Sequence, residues 1–512
     1  MNTETFQSLE KTFGRIYLPI LTLTILLTSF TMITYGTIVS VAVPSVMGTF
    51  GVGQDKAQLL ATGFYVAMTI SQLVCGWLIT AIGHYYTYII SMVIFSCASL
   101  LGATSGEFYL VVVSRIIQGI AAGILVNQTN VAIVQAYPPE RRAPALIMFT
   151  CGTISAMGAG PFLGGLAIEY VNWRYIFIAP LPLLFFSFIL GVFVMPRGRK
   201  SYKMPFDWFG LTLLTVCLLS FLIAISDGQR QGWQSNFIIS LFLFSAFSGV
   251  LFVYIQVTNK VRLLDFSHFK NSIYLLSTII IFSTSMGNFG AIYAVPIFAR
   301  VVQGLSPIDA GFIMLPASLV TLIFLPIISF YSKHILSRNA CIFGLILFSL
   351  GLIPLVSADN NTPYIWMIIF VAISRIGIGI NNPFVAKVAI SEIPLDKIPS
   401  AMSTMNFFRI LGTALGTTIW VVFLEVRTHF HSDNLINTQT PSNHSSVELI
   451  NKLVLLLSKS EIYDANLVPF ASHFLGLSIY SKALTFGYQD GFYMLVFIFV
   501  FAAFMGILLG KR

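Results

Sequence analysis

Cys151-Gly-Thr-Ile-Ser-Ala-Met-Gly-Ala-Gly-Pro-Phe-Leu-Gly-Gly-Leu-Ala167 sets five glycines and a proline inside an apolar segment of bilayer-spanning length. In water this would be a poor helix, because each glycine costs roughly 1 kcal/mol against alanine. In hydrocarbon the backbone must satisfy its own hydrogen bonds, so the helix persists. Gly152, Gly158, Gly160, Gly164 and Gly165 are spaced to fall mostly near one face, where missing side chains admit a neighbouring helix. Pro161 is expected to kink or locally unwind the helix. Two readings stand: close packing alone, or a hinge-like contact between two moving halves.

The rest of the chain sets the context. Of its 512 residues 56% are hydrophobic and 9% charged, with mean hydropathy +0.86. Soluble domains carry roughly 25% charged residues, so this is a polytopic membrane protein. The net charge of +9 is dispersed into short loops rather than gathered on one basic face, which argues against nucleic acid. The five cysteines all fall in apolar segments, with no disulfide framework and no CxxC pair. There is no metal-ligand cluster, and His429 and His431 read as solvated. No phosphate-binding glycine loop is present, so ATP is not the energy source, and nothing points to an enzyme or a cofactor. The first fifteen residues lack a signal-peptide cleavage site. Phe6, Leu9, Phe13 and Ile16 have helical spacing, which fits a short surface helix or a frayed tail.

Apolar runs of about 20 residues read as spans near 18–45, 57–80, 85–104, 108–135, 143–168, 174–195, 208–226, 236–256, 272–300, 306–332, 338–357, 363–386, 401–425 and 491–510. With both termini in the cytoplasm, the inner loops hold seventeen basic residues and the outer loops eight, the bias expected for that orientation. The only long hydrophilic stretch, 427–489, falls outside and is expected to be a loop carrying short helices packed on the membrane or a partner. Gly36–Pro44 in span 1 resembles Gly290–Pro296 in span 9, and Ser114-Arg115-Ile116 in span 4 resembles Ser374-Arg375-Ile376 in span 12. Both pairs lie eight spans apart, as parallel six-span repeats with two inserted spans would require. The expected organisation is a cytoplasmic segment 1–17, a six-helix bundle 18–195, two inserted helices 196–260, and a second six-helix bundle 261–512 that includes the outer loop.

Several motifs in order resemble the major facilitator superfamily, in its fourteen-span drug/proton antiporter branch of EmrB/QacA type. These are Thr37–Pro44, Arg115-Ile-Ile-Gln-Gly119, Gly158-Ala-Gly-Pro-Phe-Leu-Gly-Gly165, Trp173–Phe177, Phe206–Gly210, Gly228–Trp233 and Gln303–Pro307. The resemblance covers nearly the whole chain. It implies an all-α fold of two six-helix bundles plus two inserted helices, in the cell inner membrane. It also implies a small-molecule substrate, contact with membrane lipid, and possible partnership with a periplasmic adaptor and an outer-membrane channel. Two departures stand out. Tyr35 occupies the first-span position where the family usually has Asp. The loop after span 2 keeps Gly76 and Gly83 but has lost the acid and both basic residues thought to latch relatives in the outward-facing state.

Ionisable groups in hydrocarbon cost at least about 2.5–3.5 kcal/mol and so invite a functional reading. Arg115, Arg375 and Arg409 qualify, whereas all nineteen acids and seven histidines read as loop or span-end residues. Arg115, with Gln118 one turn away, is a candidate for coupling or for tying helices together; in the family the position is associated with proton transfer. Tyr35 and Asp309 are further coupling candidates, with Glu425 the other deep acid. Asn127, Asn288, Arg375, Asn381, Asn406 and Arg409 are candidates to line the substrate cavity, or to bridge helices. Gly76, Gly83, Gly119, Gly158, Gly160, Pro161, Gly164 and Gly165 are candidates for packing and gating. A cavity with arginines and no carboxylate favours anionic or oxygen-rich ligands. The expectation is a proton-coupled exporter of small amphiphilic anionic or neutral compounds such as siderophores, fatty acids or weak-acid toxicants. The alternatives are an organic-anion importer or uniporter, and a non-transporting receptor or scaffold.

Overall fold

The computed structural model describes residues 6–197, 205–259, 261–331, 336–394, 397–439, 444–458 and 467–509. Twelve stretches of these are helices long and apolar enough to cross a membrane. One of them, Gln54–Thr104, is 51 residues long and holds two crossings, and the 32-residue helix Pro139–Tyr170 adds another, which brings twelve to fourteen.

Span 1 comprises Tyr17–Thr37 and Val39–Phe50. Spans 2 and 3 share Leu59–Thr104, whose path breaks at Gly83 with φ 87° and ψ 166°. Only glycine adopts this conformation without strain. The break is a hairpin: the 115–118 turn of span 4 (Phe108–Ala136) bonds both Leu60 at the start of span 2 and Ser99 near the end of span 3. Span 5 is Pro139–Tyr170, span 6 Leu181–Val194, span 7 Trp208–Gln231 and span 8 Asn236–Thr258. Spans 9 to 12 are Ser272–Val301, Pro307–Phe312 with Met314–Tyr331, Ser337–Leu352 and Tyr364–Ile390. Spans 13 and 14 are Ile398–Asn437 and Leu467–Ile507.

An even number of crossings returns the chain to the side where it began. We call this the terminal face, and the opposite side, which carries 427–489, the loop face. The amphipathic segment Phe6–Phe13 is a helix on the terminal face, with Phe6 buried edge-on against the His84 ring at 5.1 Å.

The segment 427–489 differs from expectation. It is not a loop between helices that end at the bilayer, because spans 13 and 14 continue into it. Their helices are 40 and 41 residues long, about 60 Å at 1.5 Å per residue and twice the hydrocarbon thickness. The apolar run marks where the bilayer is, not where the helix stops; no proline stands near 425, and the helix runs on through Gly491. The projecting parts are joined by Arg427 Nε and His431 Nε2 on Asp490 Oδ2, at 2.7 and 2.6 Å. The helix His444–Ser458 lies between them in sequence.

The glycine-rich span 5 also departs from the single-face expectation. Residues 158 and 160 stand about 200° apart at about 100° per residue, so they cannot share a face. A Cβ at Gly160 would lie 2.0 Å from Thr37 Oγ1, and one at Gly164 would lie 2.8 Å from the Ile38 carbonyl, so these two face span 1 of the same bundle. At Gly158 the Cβ would lie 2.6 Å from the Met314 carbonyl, and at Gly165 2.3 Å from that of Pro307, so these face span 10 of the other bundle. Span 10 answers with Gly311, where a Cβ would lie 2.2 Å from the Pro161 carbonyl. The helix runs unbroken through Pro161.

Candidate transport site

Arg115 is fully buried. Its Nε donates to the Leu60 carbonyl (3.0 Å), Nη2 to the Tyr35 carbonyl (2.9 Å) and Nη1 to Gln118 Oε1 (2.8 Å). Its guanidinium lies 4.3 Å from the centre of the Phe64 ring. Gln118 passes the network on to Ser99 Oγ (2.8 Å). The group thus ties spans 1, 2, 3 and 4 through neutral acceptors. Gly119, one residue further on, brings span 4 against span 2, since a Cβ there would lie 2.3 Å from the Phe64 carbonyl. Tyr35 belongs to the same knot. It is buried and its hydroxyl donates to the Phe177 carbonyl (2.8 Å), linking span 1 to the turn that precedes span 6.

Arg375 occupies the equivalent position in the second bundle. Ser114 and Ser374 each return their hydroxyl to the carbonyl three residues back, at 2.7 Å in both cases. Arg115 reaches span 1, and Arg375 reaches Asn288 Oδ1 on span 9. There the likeness ends. The other partner of Arg375 is the soft Met314 Sδ at 3.8 Å, so this buried guanidinium has one oxygen acceptor where Arg115 has three.

Asn127, Asn406 and Arg409 come together on a residue that sequence reasoning passed over, Gln72 of span 2. Asn127 Nδ2 donates to the Gln72 carbonyl (2.9 Å), and Asn406 Nδ2 donates to Gln72 Oε1 (2.8 Å) across the seam between bundles. Arg409 donates twice to Asn406 Oδ1, through Nε (3.0 Å) and Nη2. Gln72 looked like one amide among many in sequence; only its register against span 13 singles it out. Asn381 goes elsewhere: its Nδ2 meets Cys341 Sγ (2.9 Å) on span 11, and its Oδ1 is buried without a partner among the described residues.

Among the described residues no carboxylate bridges Arg115, Arg375 or Arg409. Asp309 exchanges hydrogen bonds with Ser306 at 3.0 and 3.1 Å, a capping pair at the start of span 10. Gly83 makes the hairpin described above, while a Cβ at Gly76 would meet nothing within 4 Å, so no close contact requires that glycine.

The loop face is closed by contacts that sequence reasoning also missed. Arg300 of span 9 donates to Ser45 Oγ (3.1 Å) and the Val41 carbonyl of span 1. Glu169, at the end of span 5, accepts from the Ile308 amide (3.1 Å) in the first turn of span 10, where a carboxylate complements the helix dipole. Thr62 and Thr418 bond at 2.9 Å between spans 2 and 13. Each polar signal was visible singly, but the pairings join residues more than a hundred positions apart.

Comparison with known proteins completes the picture. The sequence model of the Major Facilitator Superfamily matches residues 24–417. The chain is 25% identical to the multidrug export protein EmrB of Escherichia coli (strain K12), over 85% of this chain and 86% of that protein. It is 26% identical to the probable multidrug resistance protein EmrY of the same strain, over 84% and 85%. An uncharacterized MFS-type transporter of Bacillus subtilis (strain 168), YhcA, is 25% identical over 85% and 82%. In fold, the chain is similar to a bacterial homologue of the human lysosomal transporter Spinster in its inward-facing, unoccupied conformation. That match has TM-score 0.60 and 15% identity, and covers 97% of each chain. A D-xylose-proton symporter gives TM-score 0.56 at 14% identity, covering 80% of this chain and 90% of that one.

Proposed function

Because the chain belongs to the major facilitator superfamily, we propose that it is a proton-coupled exporter of small amphiphilic organic anions that works by alternating access. The observation that carries the substrate class is the pair Arg375 and Arg409. Both are guanidinium groups in membrane-spanning helices, each held by an asparagine oxygen and neither bridged to a carboxylate among the described residues. An asparagine oxygen holds such a group in place without neutralising it, so an incoming carboxylate gains a charge-assisted bond. A lipophilic cation would be repelled. Export agrees with the similarity to EmrB, a multidrug export protein.

On this reading the protein sits in the inner membrane with its terminal face in the cytoplasm. The projecting ends of spans 13 and 14 are then a docking element for a periplasmic adaptor, which would pass substrate to an outer-membrane channel. A second reading, uncoupled passage of the same anions, is favoured by the neutral partners of all three arginines, since none holds a proton-carrying acid.

The test is anion-stimulated proton flux in proteoliposomes, screened with siderophores, fatty acids and cationic dyes. Arg375→Gln and Arg409→Gln should each cut anion transport tenfold or more. Dyes as the best substrates, with organic anions inert, would sink the substrate class. Anion transport indifferent to the pH gradient would leave the uncoupled reading.

A further inference from the structure

Thirteen buried side-chain polar atoms lack a hydrogen-bond partner among the described residues, and five of them converge near the loop face. They are Gln54 Nε2 just before span 2, Tyr293 Oη on span 9, Trp420 Nε1 and Thr428 Oγ1 on span 13, and Tyr488 Oη on span 14. The rings of Tyr293 and Trp420 are 6.3 Å apart, those of Trp420 and Tyr488 5.4 Å, and the Gln54 amide stands beside the Tyr488 hydroxyl. On span 14, Gly487 brings bare backbone up to the Thr428 hydroxyl and Gly491 does so at Trp420 Nε1, so no side chain from there can serve as a partner. Elsewhere the chain satisfies buried tyrosines with care. Tyr17 donates to the Val194 carbonyl (2.9 Å), Tyr35 to that of Phe177 (2.8 Å) and Tyr274 to that of Ala401 (2.7 Å).

We propose that this seam is a hydrated proton-entry site, in which ordered water bridges the five groups and connects the loop-face solvent to the boundary between bundles. Buried polar groups that the protein leaves unpaired are where internal water binds, and a water needs two to four polar partners, which this cluster supplies. All five side chains are uncharged, so the site suits water rather than an ion or an anionic substrate. Gln54 is only half buried and marks the entrance. It also belongs to the first half of the chain, whereas the other four belong to the second, so separation of the bundles at this face would open the site. A proton enters as an O–H bond forms on one water or hydroxyl while the O–H on its far side breaks toward the next. No atom is lost and nothing is oxidised. The proton-carrying role rests on the coupled reading above; the water itself does not.

Two measurements test it on the full-length protein in lipid nanodiscs and proteoliposomes. Brief X-ray hydroxyl-radical labelling marks side chains in contact with bound water even where bulk solvent is excluded. Tyr293, Trp420 and Tyr488 should label at least tenfold faster than Tyr17, Tyr35 and Tyr274, and equal protection of both sets would overturn the water site. The double variant Tyr293→Phe/Tyr488→Phe removes two hydroxyls, of which only that of Tyr488 has a protein group, the Gln54 amide, beside it, so it should fold normally, as thermal unfolding would show. Its proton flux should fall at least threefold with half-saturating substrate concentration unchanged, and Trp420→Phe should behave alike. Fast labelling with undiminished flux would overturn the proton route. Wild-type protein that moves substrate without protons would refute the coupled reading and the proton route with it, while the labelling would still decide the water.

Discussion

At the scale of single residues, Arg115 and Arg375 show how one sequence signature serves two ends. Both follow a serine in corresponding helices, and both are buried. The surroundings differ, because Arg115 meets two carbonyls and a glutamine oxygen whereas Arg375 meets one amide oxygen and a thioether. Arg115→Ala removes three hydrogen bonds from the interior and strands the Gln118 oxygen, a buried acceptor worth about 1–3 kcal/mol when left unsatisfied. We expect its thermal midpoint in detergent to drop by several degrees, and Arg115→Lys not to restore it, since an ammonium cannot reproduce the guanidinium fork. A midpoint unchanged in the alanine variant would contradict the structural role. Asp265 gives a pH signature on the terminal face. Burial alone would raise its carboxyl, but hydrogen bonds from Ser267 and the charges of His268 and Arg262 outweigh it and hold the group below its ordinary value of 3.8. A depressed carboxylate stabilises the fold above its unfolded value and loses that contribution as pH falls through the folded one. Asp265→Asn should therefore be less stable than wild type at pH 7, and the gap should close below pH 3.8; a gap independent of pH would rule out the linkage.

At the scale of elements, span 5 works through two faces that the sequence presents as one. Gly160 and Gly164 pack it against span 1, and Gly158 and Gly165 pack it against span 10. The same substitution should then have two outcomes. Gly160→Ala pushes into Thr34 and Thr37 within one bundle, and overpacking of this kind costs about 1–3 kcal/mol. It should lower the thermal midpoint in every conformation. Gly158→Ala pushes into Ser318 and the Met314 carbonyl across the seam, so it should penalise only the state closed at the loop face. Maleimide labelling of a cysteine at Ser45 should rise several-fold in Gly158→Ala and stay unchanged in Gly160→Ala. Equal labelling of the two variants would deny the division of faces.

At the scale of the whole molecule, the bundles meet through neutral hydrogen bonds at Thr62–Thr418 and Gln72–Asn406 and, at the loop face, through the charged side chains of Arg300 and Glu169. The neutral pairs are weak, breakable contacts of the kind a moving interface needs, since interhelical bonds in membranes average about 0.6 kcal/mol. The positive-inside bias favours the proposed orientation, with the terminal face in the cytoplasm. An impermeant maleimide should then label Asn434→Cys on projecting span 13 in intact cells and leave Asn259→Cys untouched until the cells are opened. The reverse pattern would invert the topology.

Sequence alone determined that the chain is a fourteen-span helical membrane protein, and largely where its spans lie. Length and apolarity are imposed by the bilayer and leave their mark on every segment. The ordered motifs Arg115–Gly119 and Gly158–Gly165 likewise carried the family, because each is local in the chain. Three-dimensional packing alone decided which glycines face which neighbour and how far spans 13 and 14 project. It also decided that Tyr35 and Arg115 knit helices while Arg375 meets one amide oxygen and a thioether, and that Gln72 joins Asn127 to Asn406. Those outcomes depend on rotation and register between helices far apart in sequence, a few tens of degrees and one helical turn, which no local pattern of residues encodes.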